Sequence, residues 1–176
     1  MTIAQNTPLI SALLDRCRRY ADAHVGPLGH AATPVPGLAM VRLLQPGELQ
    51  VAVQKPLIAM LLQGRKRVST HGGSFEYSPG EAMVIAADTP TVSQVTRASL
   101  AAPYYALVLE LDPAILRDLS AAAPALPAET RSVRVEPLAA DVVDAALRLV
   151  RLLDQPAALA ALGGGLLREL HYWLLM

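Results

Sequence analysis

Residues 56–81 restrict this chain to very few architectures. Leu57 to Leu62 is a continuous apolar run, short enough for a strand buried on both faces. Gln63-Gly64 interrupts it. Arg65, Arg67 and Ser69 then alternate with Lys66, Val68 and Thr70, the period of a strand with one wet face. Gly72-Gly73 reads as a two-residue turn that accepts positive φ. Phe75 and Tyr77, two apart, share a face. Ser78-Pro79-Gly80-Glu81 closes the unit, with proline presetting φ and glycine supplying the unusual one. A new apolar run, Ala82 to Ala87, begins at once. An apolar strand, a hairpin and a Pro-Gly turn into another apolar strand form a pattern of small antiparallel barrels and sandwiches.

The flanking sequence extends the pattern. Further strands are expected at 38–44, 48–53, 91–97 and 104–111, with Gln45-Pro46-Gly47-Glu48 as the turn between the first two. Eight short strands without helical periodicity among them exclude a parallel βαβ fold. Before them, Thr7-Pro8 reads as an N-cap with proline at the first helical position. Leu9, Ile10, Leu13, Leu14, Cys17 and Tyr20 then form one apolar side, giving a helix over 8–23. Residues 26–37, rich in Pro and Gly, read as an ordered connector. After the strands, Asp112-Pro113 marks another helix start, and 120–132 is Ala/Pro-rich and loop-like. A long helix is expected from Pro137 to about Asp154. Gly163-Gly164-Gly165, costing about 1 kcal/mol each inside a helix, reads as a joint before a last helix, 166–176. That helix reaches the end of the sequence without a cap, as if it were a piece of something longer.

Composition narrows the function classes. A chain of 176 residues suits a single domain with appended helices, 1–176, comprising the helix 8–23, a barrel 38–111 and a helical region 112–176. Formal net charge is zero, so the chain itself offers no basic stripe for nucleic acid. Mean hydropathy is +0.36, yet charges, Pro or Gly break every apolar run before it reaches membrane-spanning length. The excess of Ala and Leu suggests apolar surface covered by a partner. The one cysteine allows no internal disulfide and suits a reducing cytosol. Residues 1–25 lack the features of a signal peptide, so a cytoplasmic location without membrane association is expected.

Chemistry is sparse. His24, His30, His71 and His171 are far apart in sequence, without a His-x-His or His-x-x-x-His pair, so no metal site and no cofactor are expected. His71 and Glu76 meet only on the hairpin, as a solvated tip. Cys17, between Arg16 and Arg18, lies on the apolar stripe of its helix; a buried inert thiol is the expectation, a sensing thiol the alternative. Glu76, Glu81, Asp88 and Glu110 are scattered and give no acid–base pair, so no catalytic residue is assigned. The run Arg65-Lys66-Arg67 is split by the strand across two faces. Leu149, Leu153, Leu162, Leu166, Leu170 and Trp173 pack on the barrel, form a dimer seam, or both.

The sequence Leu-Leu-Gln-Gly-Arg-Lys-Arg-Val at 61–68, then Phe-Glu-Tyr-Ser-Pro-Gly-Glu at 75–81, resembles the N-terminal domain of AraC-type bacterial transcriptional regulators. The likeness continues through Tyr104–Pro113 and returns at Arg168-Glu169-Leu170-His171-Tyr172. It implies a mainly β fold, a cupin-like double-stranded β-helix followed by helices. It also implies a non-catalytic effector-sensing or dimerising module, with a DNA-binding part of two helix-turn-helix units beyond residue 176. The glycine joint departs from the proline expected there. Strand alternation makes Gln63, Ser93 and Tyr105, with His71 and Tyr77 nearer the rim, the residues expected to meet a small organic effector in the barrel. Leu149, Leu153, Leu166, Leu170 and Trp173 are expected at a homodimer seam. DNA would be contacted only through the further domain. The alternative is a cupin-type enzyme, a metal-dependent isomerase or dioxygenase; a dimerisation module without a ligand is a third reading.

Overall fold

The computed structural model describes residues 3–122 and 132–176. Among these described residues, ten strands form two antiparallel sheets, and four helices flank them. The elements run α1 (Ile3–His24), β1 (His30–Ala32), β2 (Leu38–Leu43), β3 (Gln50–Gln54), β4 (Leu57–Gln63), β5 (Arg65–Thr70), β6 (Gly73–Tyr77), β7 (Glu81–Ile85), β8 (Thr89–Arg97), β9 (Tyr104–Glu110), α2 (Pro113–Ala122), β10 (Val133–Pro137), α3 (Ala140–Arg151) and α4 (Pro156–Leu175). A 3₁₀ turn, Leu152–Asp154, joins the last two.

The pairing is that of one long hairpin, folded at β5–β6 and then rolled. β5 pairs with β6, β4 with β7, β3 with β8 and β2 with β9. Rolling the ribbon adds β4 against β9 and β5 against β8. The result is a six-stranded sheet, β1-β2-β9-β4-β7-β10, facing a four-stranded one, β3-β8-β5-β6. This is a jelly roll, the double-stranded β-helix that the family resemblance implies. Its tip lies one position earlier than the sequence suggests. Thr70 pairs with Gly73, so the turn residues are His71-Gly72.

Two glycines are required by the roll. Gly64 sits at φ +96° where the chain leaves the larger sheet for the smaller; a Cβ there would lie 2.6 Å from the Arg97 carbonyl oxygen. Gly80, at φ +89°, forms the turn with Pro79, and the Glu81 carboxylate closes it by accepting from the Ser78 N–H at 2.7 Å.

Both faces of the six-stranded sheet are buried, which explains the unbroken apolar run of β4. Leu57, Ala59 and Leu61 face the barrel interior, with Met83, Ile85, Tyr104, Ala106 and Val133. Ile58, Met60 and Leu62 face outward, under α1, α3 and α4. α1 is pinned by Asp22, whose Oδ1 accepts from the Tyr105 hydroxyl at 2.7 Å and pairs with Arg42 at 2.9 Å. α3 and α4 are clamped by a two-bond fork from Arg148 to Glu169, with Nη1 2.8 Å from Oε2, and Arg148 also holds Asp144.

Several elements differ from the expectation. α1 starts at Ile3 with Pro8 inside it. Pro8 forfeits one backbone hydrogen bond, and the earlier turn lets Asn6 Nδ2 donate to the Leu138 carbonyl at 2.6 Å. The connector 26–37 contains a short strand, β1. Pro137 ends β10 rather than opening a helix; Val133-Arg134-Val135-Glu136 is an alternating strand that pairs with β7. α4 runs unbroken through Gly163, Gly164 and Gly165, because Gly163 is buried against Leu159 and the flanking leucines pack on the core. Of the expected loop 120–132, residues 123–131 lie outside the described residues, and α2 extends to Ala122.

Candidate functional site

Alternation along the strands decides which side chains enter the barrel. On β8, Thr89, Thr91, Ser93 and Val95 are buried, and their neighbours are more exposed. The smaller sheet therefore offers a polar row to the apolar inner face of the larger one. Lys66 stands opposite Tyr77 and Val95, both interior residues, so of Arg65-Lys66-Arg67 it is Lys66 that turns inward. Burial pushes its ammonium pKa down. Tyr77 and Tyr104 are both buried in the interior. Burial lifts the pKa of both phenols, and each ring acts on the other. The Tyr77 hydroxyl nonetheless has no hydrogen-bond partner of good geometry within the chain.

Only two of the five residues expected to line an effector pocket reach that interior: Tyr77 and Ser93. Gln63 is held at the bulge that ends β4, where Nε2 donates to the Pro103 carbonyl at 2.7 Å. His71 is exposed in the hairpin turn. Tyr105 points the other way, toward α1 and Asp22, with the Arg18 guanidinium 6.0 Å from its ring centroid. Its neighbour Tyr104 is the interior residue. The bulges at Leu61/Gln63 and Arg65/Lys66 shift the register where the sequence shows only continuous alternation.

Three concavities lie outside the barrel. A groove of about 470 Å³ runs between the outer face of the six-stranded sheet and the end of α4, lined by Ile58, Arg134, Glu136, Val142 and Trp173 among others. A smaller concavity of about 200 Å³ continues it past Leu116 and shares Ile58, Arg134 and Leu174 with it. A third, about 800 Å³, lies between α1, the Ser78–Glu81 turn and the start of α3; Asn6, Ile10, Leu62 and Leu138 help line it. None of these three is lined by Gln63, His71, Tyr77, Ser93 or Tyr105. Arg134 and Glu136 come from β10, the strand that alternation in Val133–Glu136 signalled and Pro137 obscured. Arg134 donates to Glu136 at 2.8 Å.

The residues expected at a dimer seam divide in the same way. Leu149 and Leu170 are fully buried in the chain's own core, so they are not free to meet a partner. Leu153, Leu166 and Trp173 are half-buried, packed against that core with part of each still open. Cys17 is buried, and burial pushes its thiol pKa up, the setting of an inert cysteine. Among the described residues no three His, Cys, Asp or Glu side chains gather as a metal site. Nor is any described helix long and apolar enough to cross a membrane.

His171 deserves its place in the helical motif for a structural reason. It is wholly buried, its Nε2 accepts from the Asp112 N–H at 2.9 Å, and its Nδ1 lies 2.8 Å from the Leu167 carbonyl. Those partners assign the neutral ring with its proton on Nδ1. Asp112 in turn caps α2 through Oδ1, 2.7 Å from the Ala114 N–H.

Residues 34–176 match the family model described as the AraC-type transcriptional regulator N-terminus. The fold is similar to that of an apo ToxT variant from Vibrio cholerae, with a TM-score of 0.57 and 8% identity, over 81% of this chain and 56% of that one. It is also similar to wild-type ToxT from the same species bound to an unsaturated fatty acid, with a TM-score of 0.54 and 9% identity, over 78% and 52% of the two chains. This chain thus spans a little over half the length of those proteins. It matches no curated protein.

Proposed function

The chain belongs to the AraC-type transcriptional regulator N-terminal family, and from that membership we propose that it is a non-catalytic sensor that passes the presence of a small organic effector to a DNA-binding part following α4. The observation that carries this reading is the groove at the end of α4. One wall is the rigid outer face of the jelly roll; the other is Trp173 to Met176, the last turn before any following domain. A molecule seated there touches the element whose position such a domain would read. Coupling requires the effector to bind two arrangements of α4 with unequal affinity.

The lining is mostly apolar, with one Arg134–Glu136 ion pair at the wall. A mainly hydrophobic molecule with one polar end fits it best. A fatty acid occupies one of the similar structures, which supports an amphipathic class. A second reading keeps the effector inside the barrel, on Tyr77 and Ser93, and is favoured by the buried Tyr77 hydroxyl, which lacks a hydrogen bond of good geometry. Self-association through Leu153, Leu166 and Trp173 on α3–α4 is compatible with either. The cupin-type enzyme remains the contrasting class, and metal analysis of purified protein is its test.

Thermal-shift titration with fatty acids of graded chain length and with aromatic acids tests the proposal, because a binder stabilises the native state by mass action. At 100 times its dissociation constant a ligand adds about 2.7 kcal/mol. Ala139 is exposed and lines the groove, so Ala139→Trp fills the groove without entering the core. The groove reading expects a rise in melting temperature in the wild type that this variant loses. A rise retained in Ala139→Trp and lost in Tyr77→Phe moves the site into the barrel. A panel without any stabilising compound counts against sensing.

A further inference from the structure

A jelly roll of two open sheets has four edge strands, and three are protected here. β1 has three residues, and its carbonyls are taken by the Gly26 N–H and the Tyr20 hydroxyl. β10 carries Arg134, Glu136 and Pro137. β6 carries Glu76, bridged to Arg65 and Arg67. Short length, charge and proline are the devices that stop an edge from pairing with another chain. The fourth edge, β3, has none of them.

β3 reads Gln50-Val51-Ala52-Val53-Gln54, without charge or proline. Its outward side chains are apolar and open: Val51 is 80% and Val53 67% exposed, next to Leu49 at 67%. Val92, directly across from Val51 on β8, extends the same patch. The strand is also a palindrome about Ala52. Antiparallel pairing of two copies about that residue sets Gln50 against Gln54, Val51 against Val53 and Ala52 against Ala52. Every side chain then meets its own kind on the same face, as a two-fold contact requires. Carried one step further, the register sets Leu49 beside Lys55 of the other copy, with Glu48 next to it. Both charges are exposed, and opposite signs approach at both ends of the ribbon.

We propose that β3 is a self-association edge, through which two copies of this chain join their four-stranded sheets into one continuous eight-stranded sheet. The contact is independent of α4 and of effector binding. A single strand pair lies at the small end of stable interfaces, so a dissociation constant on the order of 10 μM is expected.

Sedimentation of the 176-residue chain across that concentration range, beside Val51→Lys/Val53→Lys, tests it. The double variant sets lysine against lysine twice across the two-fold, at positions solvent already reaches, and is expected to raise the dissociation constant about tenfold or more. Register is tested by cysteine pairing. In Ala52→Cys the two thiols face each other within disulfide range and cross-link under mild oxidation. In Gln50→Cys the same thiols lie about four residues apart along the ribbon and stay free. Cys17 is buried and does not compete. A wild type that stays monomeric, a double variant that associates like the wild type, or equal cross-linking at positions 50 and 52 overturns the proposal.

Discussion

At the scale of single residues, a buried histidine and a half-buried lysine do opposite things. His171 is satisfied on both ring nitrogens and ties α4 to the start of α2. His171→Phe keeps the volume and strands the Asp112 N–H, so a loss of about 1–3 kcal/mol is expected in urea unfolding, with the slope unchanged. Lys66 is the converse, a cation turned into the barrel at a cost. Lys66→Met is expected to raise the melting temperature at neutral pH. The sign of its pH dependence follows from proton counting. Below the lowered folded-state pKa, lysine is charged in both states and the penalty is complete. Between that value and the ordinary one near 10.5, the unfolded chain holds the proton more tightly, so wild-type stability climbs with pH relative to the variant. The advantage of Lys66→Met is therefore largest near pH 7 and shrinks toward pH 10; a constant difference across that range would remove burial as its cause. A charge retained at this cost on the inner wall is the kind of feature a binding site keeps.

At the scale of elements, α4 shows local propensity losing to packing. Three consecutive glycines disfavour a helix, yet Leu159, Leu166, Leu167 and Leu170 bury enough surface against the core to carry it through. A Cβ at Gly164 or Gly165 would meet nothing within 4 Å. Gly164→Ala and Gly165→Ala are thus each expected to add about 0.5–1 kcal/mol, which calorimetry would register as about 2–4 °C per kcal/mol in a chain of this size. A loss of stability would mean that the helix bends there in solution. The same competition explains what the sequence revealed and what it hid. β4 is legible because both its faces are buried, and the β6–β7 turn because Gly80 takes a positive φ beside Pro79, whereas the β5–β6 turn falls on His71-Gly72, one position before the Gly72-Gly73 that the sequence suggests. β10 was hidden because its alternation is only five residues long and ends on a proline that also suits a helix start. Tyr105 was assigned inward because a bulge in the neighbouring strand leaves no trace in composition. Tyr77 and Ser93 sit in unbulged register with their partners on β5 and β3, so alternation alone turns them inward. The grooves beneath α1 and α4 were not legible at all, since each is lined by segments more than 50 residues apart in the chain.

At the scale of the whole molecule, the high mean hydropathy divides between two destinations. Most of it lies in the layer between the six-stranded sheet and the helices, where Leu149 and Leu170 are already committed. A remainder stays on the surface, on β3 and along α4, where Leu162 is open. The nested pairing of the jelly roll also orders its assembly in time. β5 and β6 are joined by two residues, and each later pair closes around those already made, so every closure shortens the loop left for the next. The ribbon is expected to zip from its tip outward, with β2 and β9 meeting late among the nested pairs because some sixty residues separate them. On the ribosome, a nascent chain that has not yet delivered β9 holds β2 and β4 without the strand that belongs between them, and that interval is when this protein most needs a chaperone.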